Sequence, residues 1–237
     1  MHITETDIRT RRFDSRAALD AAVIERLEQT FTTSANTEVG PAIMLSGGST
    51  PLAAYRALAS RSLQPAAGLT LFYSDERYVP STSEASNYHQ SSSLIESFGL
   101  PDSRVLRVRT ELTLDEATDD YDLRLADVLR TRTPMPLGLL GLGADGHTAS
   151  LFSLADIERA RGHLAIAVAR PDGMSAVSVT PEFLANVETV LFLVAGADKR
   201  GALQALLNRS ADSIAWNVIS GCRHIEVWTE PAALPEE

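Results

Sequence analysis

The stretch from Leu137 to Phe152, LGLLGLGADGHTASLF, constrains the fold more than any other part of the chain. Its first part is a short apolar run behind two prolines, which predicts a strand buried in a parallel sheet. Gly141, Gly143 and Gly146 then interrupt the run, and glycine permits a sharp turn and a close approach of a ligand to the backbone. From Thr148 onward the residues predict the first turn of a helix. Strand, glycine turn and helix in this order predict an α/β fold with a ligand site at the carboxyl end of the strand.

The glycine turn carries two side chains with chemical capability, Asp145 and His147. An imidazole exchanges protons near neutral pH, and a neighbouring carboxylate can orient it or stabilise its charged form. A single histidine in a loop is, however, most often an ordinary hydrogen-bonded residue. Residues 141–146 also match the dinucleotide pattern GxGxxG, a weak signal alone. Here the next strand ends in Arg170 instead of the usual acid, so an NADP site stays open but leaves Asp145 and His147 without a role.

A second strand-to-helix turn follows the apolar run 42–45 and contains Gly47, Gly48, Ser49 and Thr50, with Pro51 at a favourable helix start. Backbone N–H groups, two hydroxyls and the positive end of a helix together form a suitable phosphate cradle. The turn lacks the lysine of a P-loop, so it does not indicate a nucleoside triphosphate. A plain tight turn with a helix cap explains the same residues equally well.

Charged residues stand at two further predicted strand ends. Residues 69–73 form a strand that runs into Asp75, Glu76 and Arg77, which form either a salt-bridge cluster or a site; the strand end favours a site. Lys199 falls in the first turn of a helix predicted over residues 199–207 with Asp198 as its cap. A cation there opposes the helix macrodipole, which indicates an anionic ligand.

Strands and helices alternate along the whole chain. We predict helices from Asp14 or Ser15 to about residue 30, over 87–98, from the Thr113–Glu116 capping box to about 130, and from Thr180–Pro181. We predict further strands at 105–108, 164–169, 176–179, 190–194 and 224–229, and a polar loop over 34–40. This alternation predicts a three-layer α/β/α sandwich with a mostly parallel, Rossmann-like sheet, formed by residues 1–237 as one domain.

Composition limits the class of partner. The net charge is −10 and no basic cluster is present, so a nucleic-acid partner is not expected. No apolar run approaches the roughly 18 residues of a membrane span, and the first residues lack the apolar core of a signal peptide. Cys222 is the single cysteine, which excludes an intrachain disulfide and a thiolate metal cluster. We therefore expect a soluble protein of a reducing cytoplasm, either a monomer or a small homo-oligomer.

Three motifs together resemble those of the 6-phosphogluconolactonases, part of the wider glucosamine-6-phosphate isomerase/deaminase superfamily. They are LSGGSTP at 45–51, SDERYVP at 74–80 with SNY at 86–88, and GLGADGHTASLF at 141–152. The resemblance covers nearly the whole chain, and the third motif is specific. It implies a cytoplasmic enzyme of the pentose phosphate pathway that hydrolyses the lactone 6-phospho-D-glucono-1,5-lactone and needs no metal or other cofactor.

The same resemblance implies roles for individual residues. His147 is the implied general base, and the phosphate of the lactone would lie near residues 47–50. Asp75, Arg77, Asp145 and Lys199 would line the pocket. We expect Arg77, or backbone amides of the glycine turn, to hold the oxyanion that forms during hydrolysis.

Some positions separate this chain from its relatives. The deaminases resemble it at residues 145–147 but carry a glutamate five residues after the histidine, where this chain has Phe152. This difference favours a lactonase over an amino-sugar-phosphate isomerase or deaminase. Ala176 stands where the family usually has a phosphate-binding arginine, and Arg170 is the candidate to replace it. A binding module without catalysis therefore remains a second alternative.

The remaining departures concern structural positions. Ser153 replaces a usual proline, and residues 214–218 lack the family's proline–alanine signature.

Overall fold

The computed structural model describes residues 7–33 and 39–234. Most of the polar loop predicted for residues 34–40 lies outside them. The strands are β1 (Asp7–Arg12), β2 (Ala42–Leu45), β3 (Thr70–Tyr73), β4 (Asp75–Arg77), β5 (Val105–Leu106), β6 (Leu137–Gly141), β7 (Ala165–Ala169), β8 (Ser175–Val179), β9 (Thr189–Val194) and β10 (His224–Thr229). The helices are α1 (Arg16–Thr32), α2 (Ser49–Ala59), α3 (Asn87–Phe98), α4 (Leu114–Arg130), α5 (Leu154–Arg159), α6 (Pro181–Leu184), α7 (Arg200–Leu207) and α8 (Ile214–Ile219).

The central sheet has seven strands in the order β1-β10-β9-β6-β2-β3-β5. Every neighbouring pair in it is parallel, which confirms the predicted parallel sheet. The chain continues from β2 to β3 on one side, whereas β6 lies on the other side of β2. The carboxyl ends of β2 and β6 thus border a topological switch point, where open α/β sheets bind ligands.

Two helical layers cover the sheet, one on each face. Alternate strand side chains point to opposite faces, so Ile43 and Leu45 pack with helices α1–α3, whereas Met44 and Phe192 pack with α4 and α6–α8. This arrangement confirms the predicted three-layer sandwich.

A small second sheet, β4-β8-β7, departs from the simple alternation of strands and helices. The strands predicted at 164–169 and 176–179 do not join the central sheet; they form an antiparallel hairpin, and β8 pairs with β4. Ser74 connects the two sheets. Its N–H donates to Leu45 O of the central sheet at 2.8 Å, and its carbonyl accepts from Val179 N of the small sheet at 2.9 Å. Consequently Asp75, predicted only as the end of a strand, begins a strand beside the switch point.

Several helix starts follow the predicted capping chemistry. Ser15 caps α1, Thr113 and Glu116 form both bonds of a capping box at α4, and Thr180 caps α6 before Pro181. No helix of the described residues has the combination of length and hydropathy that a membrane-spanning helix requires.

Two other helix starts were predicted wrongly. No helix begins at Thr148, because Ala149 adopts φ +50° and Thr148 bridges to Leu151; helix α5 begins at Leu154 after the cap Ser153. Asp198 does not cap α7, which follows a short 3₁₀ turn and has no side-chain cap. In both places the chain makes an extra tight turn before the helix.

Candidate active site

A cleft of about 250 Å³ lies at the carboxyl ends of β2 and β6. The loops after β2, β3, β6 and β9 and the start of the β7–β8 turn form its walls. The structure brings these predicted site residues together around it: Gly47, Gly48, Asp75, Arg77, His147, Arg170 and Lys199. Ser49 is exposed and Thr50 is buried in the first turn of α2; neither lines the cleft, and nor does Asp145.

Asp145 and His147 form a hydrogen-bonded pair at the edge of this cleft. Asp145 Oδ1 lies 2.5 Å from His147 Nδ1 and also accepts the His147 backbone N–H at 3.2 Å. Partial burial acts to raise the pKa of the Asp145 carboxyl, but the hydrogen bonds from His147 outweigh it and the pKa is lowered. An anionic Asp145 fixes the Nδ1–H tautomer of the ring and leaves Nε2 as the nitrogen that can accept a proton.

The glycines of this loop have a local structural role. Gly143 N donates to His147 O at 2.8 Å, and Gly146 N donates to Gly143 O at 3.0 Å. Gly146 has φ +86°, a conformation that side chains disfavour. A Cβ at Gly143 would overlap the His147 ring and the Asp145 carboxylate. The glycine pattern is therefore what allows Asp145 and His147 to meet.

The Phe152 ring contacts both His147 and Arg170. Its ring centroid is 4.4 Å from that of His147, and the Arg170 guanidinium lies 5.4 Å from the Phe152 centroid. The position that distinguishes deaminases thus holds an aromatic ring against the candidate base. Such a contact restricts the orientation of the imidazole.

Arg170 is fixed in the cleft wall, with a side chain only 12% exposed. Its Nη2 donates to Asp172 Oδ2 at 2.8 Å, and its Nη1 donates to Ser150 Oγ at 3.1 Å. Ala176, in contrast, is fully buried in β8 opposite Arg77. The structure thus has Arg170 in the cleft lining and Ala176 in the core, and the replacement of a family arginine by Arg170 stays a prediction.

Asp75 is a buried carboxylate that joins two parts of the site. Its Oδ1 accepts from Ser74 Oγ at 2.9 Å and its Oδ2 from Ser150 Oγ at 2.6 Å. Since Ser150 also accepts from Arg170, one hydroxyl connects the end of β3 to the β7–β8 turn. Sequence reasoning missed Ser150, since only the fold places it beside Asp75.

Glu76, the middle residue of the charged cluster predicted after the second strand, is buried and organises the neighbouring wall. Its carboxylate accepts from Asn87 N at 2.7 Å, Tyr88 N at 2.8 Å, Arg77 N at 2.9 Å and Ser86 Oγ at 3.1 Å. Burial raises the pKa of Glu76, although these hydrogen bonds favour the anion. The side chain ties β4 to the start of α3.

Asn87 links three parts of the same wall. Its Oδ1 accepts from Arg77 Nη1 at 2.6 Å, and its Nδ2 donates to Asp75 O at 2.8 Å. A Cβ at Gly47 would overlap Asn87 Oδ1, so the β2–α2 turn needs glycine there. The SNY motif was the signal in the sequence that could have identified Asn87.

Lys199 completes the cationic side of the cleft. Its side chain is 25% exposed, and its Nζ lies 3.1 Å from Asp198 Oδ2. The structure therefore places Lys199, Arg170 and Arg77 around one cleft in a protein of net charge −10. Such a local concentration of positive charge suits a phosphate-bearing ligand. Among residues 7–33 and 39–234, His, Cys, Asp and Glu side chains form no cluster of three that could hold a metal ion.

Comparisons with known proteins bear on the family and the fold of the chain. The family model of glucosamine-6-phosphate isomerases/6-phosphogluconolactonase matches residues 14–226. A 6-phosphogluconolactonase of Nostoc sp. is 33% identical over 183 residues, which are 73% of this chain and 74% of the relative. The crystal structure of a protein named devB superimposes with a TM-score of 0.83 at 26% identity, over 96% of this chain and 98% of that one. The 6-phosphogluconolactonase structure of Thermotoga maritima gives 0.77 at 26% identity, over 94% and 99%.

Proposed function

The chain belongs to the glucosamine-6-phosphate isomerase/6-phosphogluconolactonase family, and from this premise we propose that it hydrolyses 6-phospho-D-glucono-1,5-lactone to 6-phospho-D-gluconate. This reaction belongs to the oxidative pentose phosphate pathway. The observation that carries the proposal is the Asp145–His147 pair, 2.5 Å between Oδ1 and Nδ1, at a cleft lined by three cationic side chains. We also infer a single cytoplasmic domain that acts as a monomer or small homo-oligomer.

His147 acts as the general base. Its Nε2 takes a proton from water while the water oxygen attacks the lactone carbonyl carbon. When the tetrahedral intermediate collapses, the imidazolium returns this proton to the departing ring oxygen, so no covalent enzyme intermediate is needed. The anionic Asp145, whose pKa is lowered, stabilises the imidazolium between the two steps.

The three cationic side chains bind different groups of the substrate, either the oxyanion or the phosphate. Arg77 is fixed through Asn87 and donates to the developing oxyanion; removal of such a donor typically costs about 10²–10³ in rate. Lys199 and Arg170 hold the phosphate, together with the backbone N–H groups at Gly47 and Gly48. Ser49 and Thr50 contribute through the N-terminus of α2, whose dipole favours an anion.

Asp75 has a positioning role in this proposal. Its two oxygens accept from Ser74 and Ser150, so it holds the Ser150 hydroxyl against Arg170.

The deaminase alternative requires an additional acid beside the histidine. Phe152 occupies that place and packs against His147, which argues against ring opening and loss of an amine. A binding module without catalysis predicts ligand affinity but no acceleration. Ligand binding alone does not require an imidazole that a carboxylate orients for proton transfer, so the Asp145–His147 pair favours the hydrolase.

Hydrolysis of freshly prepared 6-phosphogluconolactone tests the proposal, with product formation coupled to NADPH at mildly acidic pH, where the spontaneous reaction is slower. We expect the wild type to accelerate hydrolysis and His147→Ala to lose about 10²–10⁴-fold in kcat while folding normally. His163→Ala is the matched control because His163 is exposed on the α5–β7 connection.

Two outcomes would contradict the proposal. Near-wild-type kcat in His147→Ala would remove the general-base role. Release of ammonia from glucosamine 6-phosphate, without lactone hydrolysis, would favour the deaminase.

A further inference from the structure

One buried hydroxyl in the cleft has no hydrogen-bond partner within the described part of the chain. Ser46, the first residue after β2, lines the cleft and is 5% exposed, and no protein group of the described residues bonds its Oγ. Buried polar groups in folded proteins are nearly always paired, so an unpaired one requires an explanation. The proposed mechanism does not use this hydroxyl.

The local structure around Ser46 is otherwise satisfied and fixed. The hydroxyl of Tyr55, on α2, bonds both the backbone N–H and the backbone carbonyl of Ser46, each at 3.2 Å. The Tyr55 side chain is itself fully buried. These two hydrogen bonds fix the backbone at Ser46 beside the cleft, and neither of them involves the Ser46 side-chain hydroxyl.

A second unpaired buried group belongs to the same cleft. Arg77 Nε has no partner among the described residues, although its Nη1 is bonded to Asn87. Ser46, Gly47, Arg77 and Asn87 all line this cleft. Together the two unpaired groups offer one N–H donor and one hydroxyl that can donate and accept.

From this geometry we propose that the Ser46 hydroxyl binds a hydroxyl group of the sugar-phosphate ligand and so contributes to substrate specificity. This inference rests on the proposed function, since it names a further contact in the same site. A neutral group that both donates and accepts suits a sugar hydroxyl, whereas Lys199 and Arg170 supply the charge for the phosphate. A buried polar group of this kind discriminates strongly against ligands that cannot pair with it.

Ser46→Ala separates a ligand contact from a structural role. We expect kcat/KM for 6-phosphogluconolactone and the affinity for 6-phosphogluconate, measured by calorimetry, both to fall about tenfold. Competition by inorganic phosphate should change less than twofold, because the phosphate contacts remain. The melting temperature should stay constant or rise by about 2–4 °C, since the variant removes an unpaired buried hydroxyl.

Ser91→Ala is the matched control. Ser91 is also buried, but its hydroxyl lies 2.7 Å from that of Tyr73 and donates to Tyr88 O at 3.0 Å. This variant should lower the melting temperature and leave kcat/KM within about twofold, the reverse of Ser46→Ala.

The outcomes distinguish this inference from the proposed function. An active wild type with unchanged kcat/KM and affinity in Ser46→Ala would overturn the inference alone. Equal weakening of 6-phosphogluconate and inorganic phosphate would overturn the assignment to a sugar hydroxyl. A wild type that neither hydrolyses the lactone nor binds 6-phosphogluconate would overturn the proposed function itself.

Discussion

Two carboxylates near the cleft, those of Asp145 and Glu76, differ in burial, in the direction of their pKa shift and in the groups that they contact. Asp145 lies in the loop after β6 with a side chain 57% exposed, whereas Glu76 lies in β4 and is almost completely buried. Hydrogen bonds from His147 lower the pKa of Asp145, and burial raises the pKa of Glu76. Asp145 contacts a candidate catalytic group, whereas Glu76 contacts mainly backbone N–H groups.

The difference shows that an acidic residue in a site motif need not act on the substrate. Both residues follow the end of a central strand within four positions, and the sequence alone gives no reason to expect different roles for the two carboxylates. The partners decide their roles: an imidazole that can exchange protons in one case, and the start of α3 in the other. We therefore expect variants at Asp145 to affect rate and variants at Glu76 to affect stability.

The largest predicted effect on stability is that of Glu76→Ala. This change leaves several buried donors without an acceptor, each at a cost of about 1–3 kcal/mol, so the free energy of unfolding should fall by more than about 3 kcal/mol. Urea denaturation followed by circular dichroism measures it. Glu84→Ala is the control, because Glu84 is 94% exposed and should change stability by no more than about 0.5 kcal/mol. A loss below about 1 kcal/mol in Glu76→Ala would contradict a structural role for this carboxylate.

Asp145→Asn should lower the rate and leave the stability nearly unchanged. Without the carboxylate the His147 ring loses its orientation and the imidazolium loses a stabilising charge, so kcat should fall by up to about 100-fold. The free energy of unfolding should change by less than about 1 kcal/mol, because the side chain is exposed. Steady-state kinetics and urea denaturation of the same preparation test both parts, with the exposed Asp14→Asn as control. Strong destabilisation with unchanged kcat would reverse the assigned roles.

Lys199→Ala should act on binding more than on chemistry. Lys199 is the only lysine in the sequence and faces the cleft, so its loss should raise KM about tenfold and leave kcat within about threefold. Lys199→Arg keeps the charge and should recover most of the affinity. A fall in kcat without a change in KM would instead place Lys199 at the reacting carbon.

The smallest predicted effect is a pH dependence of the stability that Glu76 contributes. Because the pKa of Glu76 is raised in the folded state, its contribution to stability is complete below the unfolded pKa and is lost as the pH rises through the folded pKa. The stability of the wild type relative to Glu76→Gln should therefore be higher near pH 4 than near pH 8. Urea denaturation of both proteins across this range measures the difference, and an increase with pH would contradict burial as the cause.

Much of the fold could be predicted because its signals are local. The Thr113–Glu116 capping box, the start at Thr180–Pro181 and the buried run of β9 each lie within a few residues of sequence, and the structure has all three. The errors at Thr148 and Asp198 arose where a tight turn follows a strand. There the left-handed Ala149 and the 3₁₀ turn depend on contacts that no short pattern reveals.

Local patterns in the sequence were enough to predict the parallel sheet, its two helical layers and the loop that joins Asp145 to His147, because strand periodicity, helix caps and glycine turns act between near neighbours. Three other features became visible in the folded structure: Glu76 anchors α3, Arg170 lies in the cleft while Ala176 is buried, and the Ser46 hydroxyl has no partner among the described residues. These outcomes depend on partners distant in the chain: Asp75 and Ser150 are 75 positions apart, and their hydrogen bond joins β4 to the loop that follows β6. The role of a carboxylate or hydroxyl depends on the groups that surround it after folding, and short sequence patterns do not reveal those groups.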